Sequence, residues 1–182
     1  MKKESVVKLV LSGMFVALAV VLSTFSIPVG GAKCFPIQHM VNVLSAVFLG
    51  PWYGLGIAFC TSLIRNLLGT GTLLAFPGSM IGALCCGLFY KYTGKLTFTY
   101  VAEIIGTGII GGLLAYPVAA FVMGKEVALF VYVVPFLVST VGGTLIAAVL
   151  ITVLKQNHVL EKLQNMLKES RVARRKRIVR LR

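Results

Sequence analysis

CFPIQHMVNVLSAVFLGPWYGLGIAFCTSLI, residues 34–64, contains no Lys, Arg, Asp or Glu. A helical crossing of a bilayer needs about 20 apolar residues. The stretch is long enough for two short crossings. Gly50-Pro51 marks the joint, because glycine suits a helix end and proline a first helical turn. Outward from it, further charge-free runs occupy residues 9–32, 66–90, 104–124 and 127–154. Each supplies one crossing, which brings the total to about six.

Composition agrees. Hydrophobic residues make up 58% of the chain and charged ones 13%, against roughly 25% charged in soluble domains. The spacing predicts an all-α membrane protein, a bundle of six transmembrane helices at 8–27, 38–50, 51–68, 78–92, 97–122 and 127–155. The second helix is shorter than a normal span. Residues 1–155 form the membrane-embedded domain, and 156–182 a basic tail with Leu160, Leu163 and Leu167 at helical spacing. This tail either extends the last helix toward anionic headgroups or stands solvated. The first run is too long, and lacks the cleavage site, for a removed signal peptide.

The net charge of +13 is placed for a membrane, not for nucleic acid. Arg171, Arg174, Arg175, Lys176, Arg177, Arg180 and Arg182 crowd the C-terminus, Lys2, Lys3 and Lys8 precede the first run, and Lys91 and Lys95 flank a short loop. Basic residues beside membrane helices mark the cytoplasmic side. With both termini inside, the outer segments keep only Lys33 and Lys125, the latter beside Glu126. Cys34 and Cys60 are isolated and Cys85-Cys86 are vicinal, with no metal-ligand spacing, so they read as small packing residues. No metal or cofactor is expected.

Polar side chains inside a bilayer ask for a partner or a role. In this orientation Gln38, His39 and Asn42 open helix 2 at its outer end, and Arg65 and Asn66 close helix 3 there. Tyr116, Tyr132 and the loop carrying Lys33 and Phe35 lie on the same side. Their clustering points to a pocket in the outer leaflet, roofed by the first loop. Arg65 also suits snorkelling to headgroups, and the tyrosines an aromatic belt. Glu103 falls in the inner part of helix 5, away from this cluster, where it would pair with Lys95 or Lys91 or meet a partner protein. Small residues recur four apart at Gly13/Ala17, Gly108/Gly112, Gly111/Ala115 and Gly143/Ala147, as helix-packing stripes do. For helices 5 and 6 the stripe packs within the chain; for helix 1 packing within the chain and packing against another subunit are the two alternatives.

No phosphate-binding loop, no Asp and no nucleophile–base set occurs, so the chain is not read as an enzyme and has no engine of its own. A self-sufficient secondary carrier or channel would need more intramembrane carboxylates or an internal repeat. A scaffold protein without any ligand is the third possibility.

The run Phe48-Leu49-Gly50-Pro51-Trp52-Tyr53-Gly54 resembles the substrate-binding (S) subunits of energy-coupling factor vitamin transporters. Three further stretches, Gly31 to His39, Arg65 to Gly71 and Ala75 to Met80, are similar to the ThiW group of that family, over about residues 5–155. The resemblance implies a six-helix subunit in a prokaryotic plasma membrane that binds a thiazole-type thiamin precursor near the outer face. It also implies docking on a membrane T subunit driven by two cytoplasmic ATPases, here through Gly13 and Ala17 on helix 1. Phe35, Tyr116 and Tyr132 would offer the ring a stacking face, and Gln38, His39 and Asn42 the hydrogen bonds.

Overall fold

The computed structural model describes residues 3–29 and 32–165. Its helices are α1 (Lys3–Val21), α2 (Pro36–Phe48), α3 (Pro51–Leu67), α4 (Ala75–Thr93), α5 (Leu96–Val122) and α6 (Val133–Gln156). The chain is all-α apart from one hairpin, β1 (Ile27–Val29) and β2 (Ala32–Cys34), paired antiparallel with Ile27 opposite Cys34. Residues 5–24, α5 and α6 are long and apolar enough to cross a membrane. α2 and α3, with 13 and 17 residues, are shorter. Leu9, Met14, Val21, Phe121, Leu145 and Val149 lie exposed on the outside, as lipid-facing residues do. The protein is membrane-embedded.

α2 is the axis of the bundle. From Gln38 to Val47 every residue is buried, and α3, α4, α5 and α6 pack around it. Val41, Val43, Leu44, Ile57, Cys86, Ala147 and Ile151 form its core cluster. Lipid tails are as apolar as these side chains, so the cluster stabilises through close contact rather than transfer from water. Small residues make that contact possible: a side chain at Gly143 would strike the Pro36 carbonyl and sit 2.7 Å from the His39 Cβ. The small residues of helices 5 and 6 thus pack within the chain.

Several boundaries differ from the sequence reading. Helix 1 ends at Val21 rather than residue 27 and continues as a single 3₁₀ turn, Leu22–Thr24. Ser23 and Thr24 turn their hydroxyls back onto the carbonyls of Val20 and Val21, and Ile27 precedes a proline, which disfavours helix. The last long helix starts at Val133 rather than 127. α5 contains π-helical turns at Ile104–Gly111 and Val118–Val122, the second just after Pro117, whose missing N–H interrupts the ladder. The C-terminal segment does not run straight on from α6. His158 takes a left-handed φ of 54°, residues 159–165 are helical, and Leu160 is buried in the core cluster. Gln164 Nε2 donates to the Tyr90 hydroxyl at 3.0 Å. The rest of the basic tail, with Leu167 and the arginines from Arg171 on, lies outside the described residues.

Candidate functional site

Glu103 is wholly buried and organises the polar interior. Three groups converge on its Oε1. Asn42 Nδ2 and the Thr107 hydroxyl donate at 3.0 Å each, and His39 Nδ1 lies 3.1 Å away. A carboxylate oxygen accepts, so the His39 contact is a hydrogen bond when the ring carries a proton on Nδ1. Asn42 Nδ2 also donates to the Ser79 carbonyl at 3.1 Å, tying α2 to α4. The expectation that Glu103 stands apart, paired with Lys95 or Lys91, is therefore corrected. Those lysines lie over the rings of Phe98 and Tyr92. The reason is length. α2 rises only about 20 Å at 1.5 Å per residue, against a hydrocarbon core of about 30 Å. Its first turn therefore lies at the level of the Glu103 turn of α5.

In front of His39 opens a cavity of about 360 Å³, toward the lower end of the roughly 300–1,000 Å³ common to small-molecule sites. Its wall includes Lys33 of β2 and Phe35 just after it, Gln38 and His39 of α2, and Arg65 of α3. The loop 69–72, Ser79 of α4, Thr107 of α5, and Tyr132, Phe136 and Ser139 near the start of α6 complete it, with Lys125. Cys34 and Phe35 are pinned to α6: the thiol donates to the Pro135 carbonyl and the Phe35 N–H to the Ser139 hydroxyl. Burial pushes the Cys34 thiol pKa up, so it is held as a neutral packing group.

Arg65 is 1% exposed, and its guanidinium carbon stacks 3.8 Å from the centre of the Phe35 ring. This is a cation–π contact in a desolvated place, not a side chain reaching for headgroups. The stretch Arg65-Asn66-Leu67-Leu68-Gly69-Thr70-Gly71 wraps around it. The N–H groups of Thr70 and Gly71 both donate to the Arg65 carbonyl at 2.9 Å. Gly71 passes so close that a Cβ would sit 3.0 Å from the Arg65 Cβ.

Six of the nine sequence-predicted site residues line the cavity: Lys33, Phe35, Gln38, His39, Arg65 and Tyr132. The other three do not. Asn42 stands behind His39 on the Glu103 carboxylate. Asn66 braces the loop, donating from Nδ2 to the carbonyls of Ser62 and Thr72 at 2.8 and 3.0 Å. Tyr116 is half-buried on α5, away from the wall. Sequence reasoning missed Ser79, Thr107, Ser139, Phe136 and Lys125. A second, apolar groove lies between α1 and α3, lined by Gly13, Ala17, Gly56, Ile57 and Cys60 among others. Nothing lies within 4 Å of a Cβ placed on Gly13, so that face is open.

Among known proteins, the chain is 27% identical over 167 residues to the biotin transporter BioY of Thermotoga maritima, covering 84% of this chain and 98% of that one. No solved structure matches. Residues 9–157 match the family described as thiamine-precursor transporter protein (ThiW). That match spans most of the chain and every residue of the cavity wall, and so this protein belongs to the ThiW family of membrane transport proteins and is not an enzyme.

Proposed function

We propose that this chain is the substrate-binding membrane subunit of an energy-coupling factor transporter. It captures a thiamin precursor of the hydroxyethylthiazole type in the cavity beside His39, at the outer face of a prokaryotic plasma membrane. All six helices cross, both termini are cytoplasmic, and a T subunit with two ATPases drives uptake. The observation that carries the reading is the cavity itself. Phe35, Tyr132 and Phe136 supply aromatic faces, while Gln38, His39, Ser79, Thr107 and Ser139 supply hydrogen-bonding groups around one small volume. A heteroaromatic ring with a short polar arm needs that combination. The family match supports the precursor, and the open Gly13–Ala17 groove supports docking through α1.

One observation favours a second reading. A buried His39–Glu103 pair is the type of element that a proton-coupled carrier uses. Proteoliposomes holding this chain alone decide between the two. The binding-subunit reading expects substrate to bind without accumulating under an imposed proton or sodium gradient. Gradient-driven accumulation contradicts it.

A further inference from the structure

This inference rests on the reading that the cavity beside His39 holds the substrate, and it concerns the chemical class of that substrate. Among the described residues, Nε and Nη2 of Arg65 are buried with no hydrogen-bond partner. These two nitrogens share one edge of the guanidinium, so the Nε–H and one N–H of Nη2 face the same way. Two parallel donors on a planar cation match the two oxygens of a carboxylate or phosphate. The stack on Phe35 fixes the plane of the fork, and the amides of Thr70 and Gly71 hold its backbone.

The charge of the wall agrees. Arg65, Lys33 and Lys125 all line the cavity, and no described Asp or Glu does. Glu103, the nearby carboxylate, is engaged behind His39 by Asn42 and Thr107. An unpaired guanidinium out of water is strongly disfavoured, and a counter-ion arriving with the ligand offsets that.

We propose that the substrate carries an anionic oxyacid group, phosphate or carboxylate, seated on the Nε/Nη2 edge of Arg65. Its ring lies toward Tyr132 and Phe136, and Lys33 and Lys125 draw anions to the mouth. Among thiamin precursors this selects an acid-bearing form of the thiazole over the free alcohol.

Calorimetry on the full chain in detergent tests it with hydroxyethylthiazole, its phosphate ester and a thiazole carboxylate. The comparison covers wild type, Arg65→Lys and Arg65→Gln. At least one acid should bind about tenfold or more tighter than the alcohol. That preference should weaken with salt, survive in part in Arg65→Lys and vanish in Arg65→Gln. Preference for the ester identifies phosphate, and preference for the carboxylate identifies that group. If Arg65→Gln does not fold, the wild type decides: inorganic phosphate should raise its melting temperature and compete with the ester, and absence of both effects counts against the subsite. An alcohol that binds as tightly as both acids, or an equal loss of all three ligands in Arg65→Gln, overturns the anion subsite and leaves the thiazole reading standing. If no thiazole binds but another acid does so through Arg65, the subsite stands and the thiamin-precursor reading falls. Binding of the alcohol alone overturns the anion subsite, and binding of none of the three ligands overturns both.

Discussion

His39 Nδ1 lies 3.1 Å from Glu103 Oε1, across 64 positions of sequence, and this contact joins the start of α2 to the middle of the membrane bundle. Carboxylates that orient a histidine fix its tautomer and ring position for whatever the other nitrogen touches. Glu103 thereby acts on the cavity without lining it.

Replacing Glu103 with Gln keeps the volume and loses the charge. All three contacts meet Oε1, while Oε2 has no hydrogen-bond partner among the described residues, so the amide keeps the accepting oxygen but not the charge that strengthens each hydrogen bond to it. Stability should fall by about 1–3 kcal/mol, and ligand affinity by about tenfold as His39 loses its fixed pose. Thermal unfolding in detergent and calorimetry on Glu103→Gln measure the two effects. Unchanged affinity would mean that His39 is positioned by other contacts.

Gly82 of α4 faces the same cluster. A methyl group there would collide with the Thr107 hydroxyl and lie 2.8 Å from Glu103 Oε2. Gly82→Ala should be destabilised by about 1–3 kcal/mol through overpacking. Thr107→Ala in the same background removes the first obstacle and should recover part of the loss, a coupling that a double-mutant cycle reads directly. Strict additivity would show that α4 simply moves aside.

The all-α, membrane-embedded character was legible because charge-free runs are long and lipid permits few alternatives. The Gly50-Pro51 joint was legible as local chemistry, and Gly50 does take a φ of +88° with Pro51 opening α3. The hairpin went unread, although Gly30-Gly31 between Pro28-Val29 and Ala32-Lys33 is a hairpin signature. Six residues of the cavity wall could be named because polar and aromatic side chains stand out against an apolar chain. Glu103 was misplaced because depth was counted along each helix from the membrane surface, and a 13-residue α2 breaks that count. Ser79 and Thr107 carried no signal beyond their polarity, since hydroxyls on membrane helices usually bond back to their own carbonyls.

Asn66 spans Ser62 and Thr72 and so braces the loop that closes over Arg65. Asn66→Ala should lower stability by about 1 kcal/mol and speed ligand release several-fold while leaving the association rate nearly constant. Stopped-flow measurement separates the two rates. An affinity loss confined to association would show that the loop shapes entry instead.

The two faces of the molecule should separate genetically. Gly13→Leu or Ala17→Leu fills the open groove between α1 and α3, and should abolish uptake in cells while ligand affinity of the isolated chain stays intact. Gln38→Ala or His39→Ala should weaken binding by about 1–3 kcal/mol without preventing recovery of the chain with a T subunit. Calorimetry paired with pull-down of the complex checks both halves. Helix-1 variants that lose ligand yet assemble normally would show that the stripe is internal packing.

Titration of hydroxyethylthiazole and its phosphate ester into the purified chain, in detergent and without nucleotide, tests the central claim most directly. At least one of them should bind saturably, with one ligand per chain, and this binding should be abolished or strongly weakened in His39→Ala. Absence of saturable binding of either compound, or binding that His39→Ala leaves untouched, would contradict that claim.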